Sequence, residues 1–145
     1  MLFRSQHWSK RTLLGHNETL WAGWVLLGDD FRVYFAGDSG YVRHFAEIGE
    51  RFGPFDLSLI PIGAYEPRWF MHSMHIGPHE AVQIHRDLGS KLSVAMHWGT
   101  FALTDEPFEE PPQLLRDTLQ AQNLTEKDFW IMGHGETRWL DEVWG

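Results

Sequence analysis

Hydrophobic positions in this chain switch between two periods, and polar residues stand at the switch points. From Leu20 to Gly37 the sequence LWAGWVLLGDDFRVYFAG sets two apolar and aromatic runs on either side of Gly28, Asp29 and Asp30. Runs of this composition around a short polar turn predict a β-hairpin. Next, YVRHFAEIGERFG places Phe45, Ile48 and Phe52 at helical spacing and closes on Gly53, which predicts a helix with a glycine stop. FDLSLIPIG reads as a short buried strand. GPHEAVQIHRDLG reads as a helix opened by Pro78 and ended at Gly89, because proline lacks only an N–H that the first helical turn leaves unused. KLSVAMHWGTF predicts another buried strand, DEPFEEPP an acidic, proline-rich loop, QLLRDTLQAQN a helix and FWIMGHGETRWL a last strand or extended segment. Strands alternating with helices predict α/β layering, in which functional residues gather at the C-terminal ends of strands.

Two of the predicted strands end in a polar residue: Asp38 in GDSG and His97 in MHWG, while His7 precedes the hairpin. Imidazole and carboxylate are the ligands zinc accepts when thiolates are absent, and a carboxylate can bridge two ions. The residues alone leave plainer readings open. A histidine at a strand end serves equally well as a hydrogen-bonded structural residue, and an aspartate before a helix serves as an Asx-turn or N-cap. His72, His75 and His79 have the spacing of one helix face, but Gly77 and Pro78 interrupt any helix between them. HEAVQIH does not fit H-E-x-x-H, since His79 and His85 are six apart. His16, His44 and His85 read as surface or loop residues and His134 in GHGE as a turn residue. Phosphate-loop, dinucleotide-binding and nucleophile-elbow patterns are absent.

Composition narrows the class. The 145 residues fit one domain with a real core, and 43% hydrophobic residues with eight Trp and ten Phe indicate a folded chain. A formal charge of -8 argues against nucleic acid as a partner, because that affinity starts from a basic surface. Without cysteine there are no disulfides, and any metal must be held by His and carboxylate. MLFRSQHWSK lacks the apolar core of a signal peptide, and no apolar stretch approaches the roughly 20 residues of a membrane-spanning helix. A soluble, cytoplasmic protein is expected.

The segments QHWSKRT, LWAGWVLLG, FAGDSGY, IGERFGPFDLSLIPIGAYEPRWFMHSMHIGPHEAVQIH and SVAMHWGTFALTDEPFEEPP together resemble the metallo-β-lactamase fold, and within it the N-acyl phosphatidylethanolamine-hydrolysing phospholipase D group with its bacterial relatives. The resemblance implies an αββα sandwich and a hydrolase holding two Zn2+ ions between the sheets at one edge. On this resemblance His7 corresponds to a ligand of the first zinc, Asp38 to the bridging carboxylate and His97 to a ligand of the second. His75 corresponds to a residue that contacts phosphate or assists proton transfer, which makes Asp38 and His75 the catalytic candidates. The implied substrate is a phospholipid or other phosphodiester. YEPRWFM then shapes an apolar approach for acyl chains, or is simply core.

One departure changes the picture. The motif H-x-H-x-D-H, which supplies four ligands in that group, occurs nowhere in the 145 residues. The whole chain, 1–145, therefore resembles the C-terminal half of a single such domain, and Met1–Ser5 precede the matching sequence as though it began inside a longer gene. Half a sandwich leaves an apolar sheet face bare, so self-association into a homo-oligomer or pairing with a separate N-terminal half is expected, with peripheral membrane contact in the complete enzyme. The alternatives are another hydrolase of the same fold, such as a sugar-phosphate lactonase, and a non-catalytic half that needs a partner.

Overall fold

A computed structural model describes residues 1–10, 12 and 14–141; Arg11 of QHWSKRT and the last residues of the expected 1–145 domain lie outside them. Among the described residues, six strands form one sheet in chain order: β1 (Leu2–Arg4), β2 (Ala22–Leu27), β3 (Arg32–Phe35), β4 (Leu57–Pro61), β5 (Leu92–Met96) and β6 (Phe129–Trp130). The first three strands pair antiparallel, and β3 to β6 pair parallel. The hairpin is β2–β3, with the Gly28 N–H donating to the Phe31 carbonyl at 2.9 Å across the turn. Each parallel step needs a crossover, and the helices α1 (His44–Phe52), α3 (Pro78–Asp87) and α4 (Glu110–Ala121) supply them, with the short α2 (Arg68–Met71) preceding α3.

Crossovers of one hand along a sheet that advances in one direction place their helices on one face. Accordingly α1 packs on α3, and α3 packs on both α4 and β4. The row Val25, Tyr34, Ser58, Ser93, Phe129 faces this layer, and every member is at most 2% exposed. It joins Phe45, Ile48, Val82, Ile84, Leu115 and Leu119 of the helices in one core, with the serines satisfied by Ser90 and His85. Side chains alternate along a strand, so the intervening residues face the other way. On that second face Trp24, Leu26 and Phe35 are 47, 56 and 39% exposed, and Val33, Leu57, Leu59 and Val94 are half-buried.

Three expectations need correction. His85 is buried, its Nδ1 2.8 Å from Ser93 Oγ, because the inward stripe of α3 carries it against β5. The last residues of DEPFEEPP are helical: α4 starts at Glu110, with Pro111 and Pro112 in a first turn that needs no N–H from them. The final segment forms a strand only over Phe129–Trp130, beyond which Gly133 and Gly135 turn the chain. The edge strand β1, which pairs Leu2 with Trp24, was not expected.

Candidate functional site

Asp38 and His97 leave the C-terminal ends of β3 and β5, with β4 between them. Neighbouring strands lie about 4.8 Å apart, so two side chains on alternate strands must lean over the end of the middle one. The sequence makes room for this at Gly63, where a Cβ would stand 2.3 Å from the His97 carbonyl oxygen. His97 itself adopts φ 58°, outside the strand region, which turns its ring over the sheet edge. His97 Nε2 then comes within 3.6 Å of Asp38 Oδ1, close for a charged pair and too long for a direct hydrogen bond. Gly37 at φ 62° re-aims the chain before Asp38, where a Cβ would lie 2.8 Å from the Ala22 carbonyl.

Asp38 is not the cap of the following helix. The residue before α1 is Arg43, no side chain caps that helix, and the loop 39–43 separates it from Asp38. The loop instead gathers the N-terminal segment: Ser39 Oγ accepts the Gln6 N–H at 3.0 Å, and the Gly40 N–H donates to the Gln6 carbonyl at 3.0 Å. That pair of bonds sets His7 beside the sheet edge. Its Nδ1 lies 2.7 Å from the Trp8 carbonyl, which only a protonated Nδ1 can satisfy, so Nε2 carries the free lone pair. Trp21 packs on the His7 ring at 4.7 Å between centroids.

His75 stands between the other two histidines, its ring centroid 5.1 Å from that of His7 and 5.5 Å from that of His97. Its backbone is fixed by Arg68, which donates through Nη1 to the His75 carbonyl at 3.2 Å and pairs through Nη2 with Glu80 at 2.6 Å. Burial, and then the neighbouring His97 and His7, push its pKa down to about 4. His75 is therefore uncharged at neutral pH, with one ring nitrogen donating and the other accepting. His72 and His79 point elsewhere, to the Arg68 carbonyl and to Thr118 of α4.

The structure thus brings His7, Asp38, His75 and His97 to one edge of the sheet. Their nitrogen and oxygen donors suit a zinc-type ion in kind, and the Nδ1 contact of His7 to a carbonyl is how metal-ligating histidines are commonly oriented. In number they fall short: among the described residues no three His, Asp or Glu side chains are grouped tightly enough to hold an ion. Beside His97 opens a cavity of about 280 Å3, walled by Ala64, Trp98, Phe101, Leu103 and Phe108.

The sequence profile of the Lactamase_B_2 family, described as a beta-lactamase superfamily domain, matches residues 1–98, more than half of the chain. This chain belongs to the beta-lactamase superfamily. It is 45% identical over 135 residues to the N-acyl-phosphatidylethanolamine-hydrolyzing phospholipase D 1 of Caenorhabditis elegans, covering 91% of this chain and 38% of that protein. It is 42% identical over 114 residues to the mitochondrial N-acyl-phosphatidylethanolamine-hydrolyzing phospholipase D of Saccharomyces cerevisiae, covering 77% of this chain and 24% of that one. The chain therefore spans less than two fifths of the length of either relative. Among solved structures, the metallo hydrolase Igni18 of Ignicoccus hospitalis superposes on 94% of this chain and 50% of its own at a TM-score of 0.68 and 23% identity, a likeness of fold. Membership in the superfamily agrees with the sheet-and-helix layering.

Sequence reasoning missed several residues at this edge. Arg68, Glu80 and Trp21 carried no motif of their own, and Glu106 was absorbed into an acidic loop. Gly63 left a signal: a glycine directly after a buried apolar strand marks a close backbone approach.

Proposed function

We propose that the chain supplies one layer of the active site of a zinc-dependent phosphodiesterase of phospholipase D type, acting on N-acyl phosphatidylethanolamine-like lipids. The observation that carries this reading is the meeting of His7, Asp38, His75 and His97 at the C-terminal edge of parallel strands. The identity to the nematode phospholipase supports the substrate class. His7 through Nε2 and His97 would each hold one of two ions, with Asp38 shared between them. Such ions supply activation of water at neutral pH and Lewis-acid stabilisation of charge on phosphoryl oxygen. His75, uncharged and held by Arg68, offers a ring N–H to a phosphoryl oxygen or a lone pair to a proton in transfer.

The apolar cavity beside His97 gives an acyl chain a wall to lie against. Trp69, Phe70, Phe101, Leu103 and Phe108, all exposed, offer a peripheral contact to a lipid surface without insertion; among the described residues no helix is long and apolar enough to cross a membrane. In this reading the chain is the C-terminal portion of one domain, works at the cytoplasmic face of a membrane, and receives its remaining ligands from a layer carrying H-x-H-x-D-H.

The test is zinc content by elemental analysis and phosphodiester turnover, on the 145-residue chain alone and joined to such a layer. The joined protein is expected to hold two zinc ions and to hydrolyse N-acyl phosphatidylethanolamine, with turnover lost in Asp38→Asn. The chain alone is expected to do neither. Zinc-loaded, folded joined protein without phosphodiesterase activity, or full activity of the chain alone, would overturn the proposal.

A further inference from the structure

The acidic loop after His97 is fastened to the turn after β4 chiefly by the Glu106 carboxylate, beside one long backbone bond from the Asp105 N–H to the Glu66 carbonyl at 3.4 Å. Glu106 Oε1 accepts the N–H of Ala64 at 2.6 Å and of Tyr65 at 3.3 Å, and Glu106 Oε2 accepts the N–H of Glu66 at 3.0 Å. These three donors follow the end of β4 and have no strand ladder to serve them, so a partner must come from elsewhere. Ala64 also sits at φ 62°, a conformation that side chains with a Cβ rarely adopt, and its N–H makes the shortest of the three bonds. From α4, Glu110 takes the Tyr65 hydroxyl at 2.5 Å and fastens the turn a second time.

The same turn touches both histidines at the centre of the candidate site. At its start Gly63 lies against the His97 carbonyl with no room for a Cβ, and at its end Arg68 donates to the His75 carbonyl at 3.2 Å. Glu66 ties the two ends together, its side chain accepting the Arg68 N–H at 2.8 Å while its own N–H goes to Glu106. Residues 63–68 are thus a backbone shelf on which His75 and His97 both rest, and Glu106 is the group that gives the shelf its shape.

We propose that Glu106 is a positioning residue: by latching residues 63–68 it fixes His75 against His97 in the site that the phosphodiesterase reading assigns. The proposal rests on that reading for its functional meaning, while the latch itself touches no reacting group. The carboxylate suits the task. Burial pulls its pKa up, but the N–H of Glu66, its own N–H, the Thr104 hydroxyl and the N–H of Ala64 outweigh burial and hold it below the ordinary glutamate range. Glu106 is therefore a full charge at neutral pH, and charge-assisted bonds to backbone N–H groups are stronger than neutral ones.

The experiment reads the imidazole Cε1–H resonances of the full 145-residue chain by NMR, free of metal and substrate. Glu106→Gln keeps the size of the side chain and replaces half of its acceptor surface with a donor. It is expected to shift or broaden the His75 and His97 resonances beyond any change in His85, which packs on Ser93 under the helix layer. Tyr65→Phe, which removes the Glu110 bond and leaves the three Glu106 bonds, is expected to leave both in place. Unmoved His75 and His97 in a folded Glu106→Gln chain would overturn the proposal, as would equal movement of His85, which signals general loosening. Because the Glu106 charge itself acts on His75, Glu106→Asp, which keeps the charge and shortens the arm, is read beside it with the same two outcomes, and stands alone should Glu106→Gln not fold. These spectra stand apart from the zinc and turnover assay, so either proposal can fail without the other.

Discussion

The helix-covered face of the sheet buries two serines and a tyrosine, with His85 of α3 against them, whereas the open face carries Trp24, Leu26, Phe35, Leu59 and Val94. The covered face also carries Val25, Ile60, Ala95 and Phe129, so polarity alone does not tell the two faces apart. The covered face tolerates Ser58, Ser93 and His85 because each has a partner, Ser90 for the first and one another for the other two. The open face has few polar atoms to offer water, and contiguous exposed apolar surface of this kind marks a surface that binds something. The lesson is that burial here follows crossover topology. The helices cover one face because the parallel steps all turn the same way, and the other face, buried at Leu92 and Trp130, is most open over β2 and β3.

The largest difference in stability is expected between two neighbours on β4 that point to opposite faces. Ile60 is fully buried among the helices, and Leu59 on the open face is half-buried. Ile60→Ala should cost about 2–5 kcal/mol, since it removes buried methyl groups and leaves a cavity. Leu59→Ala should cost well under half as much, because water already reaches that side chain. Urea unfolding of the two variants decides it, and equal losses would mean that the open face is packed in solution.

Gly63→Ala comes next. The added Cβ has backbone as its neighbour, so the strand end must shift, and overpacking of that kind costs about 1–3 kcal/mol. The His97 imidazole resonance should move in the same variant, because His97 is the residue displaced. A stable variant with an unmoved His97 would detach the sheet edge from the site that leans over it.

How much of this was legible in the chain beforehand depends on the range of the interaction. The hairpin, α1, β4, α3 and β5 follow from local period and from Gly28, Gly53, Pro78 and Gly89, all of which act within a few residues. The convergence of Asp38 and His97 could be anticipated, since both end apolar runs and parallel strands end together. The placement of His7 could not be reached from spacing, because it depends on Gln6 bonding to the loop at Ser39 and Gly40, a contact 33 residues away in the chain. His85 was misread although its spacing carried a sign: Ala81 and Leu88, four before and three after it, put it on the apolar stripe of α3, while its partner Ser93 belongs to another element. Glu106 looks like any acid in a proline-rich loop until its three N–H donors are seen.

His85 offers a test of the covered face through pH. Burial lowers its pKa, with Asp128 opposing and Arg86 adding to the effect, so the folded chain holds it neutral where the unfolded chain would take a proton. Between the ordinary value of 6.5 and the lower folded value, the unfolded state binds more protons, and stability rises with pH. The contribution is complete above 6.5 and is lost progressively as the pH falls below it. Midpoints of urea unfolding should therefore drop from pH 7 toward pH 5, and His85→Gln, which keeps a side-chain partner for Ser93, should flatten that slope. An unchanged slope would place the acid sensitivity elsewhere in the molecule.

The smallest effect on stability, and the one that bears most directly on the open face, is expected from Trp24→Ser combined with Phe35→Ser. These residues pair across β2 and β3 and lose little burial in the single chain, so each change should stay within about 0.5 kcal/mol in unfolding. Association should respond instead. With a formal charge of -8, copies of the chain repel one another in dilute buffer, and that repulsion is screened beyond about 10 Å at 0.1 M salt. Apolar attraction between open faces is not weakened by the same salt, so the wild-type chain should sediment as larger species as salt rises, while the double variant should remain a monomer. Sedimentation velocity across a salt series reads both. A wild-type chain that stays monomeric at every concentration would show that the open face is tolerated by water as it stands, and the contrast between the two faces would then be one of packing without consequence for assembly.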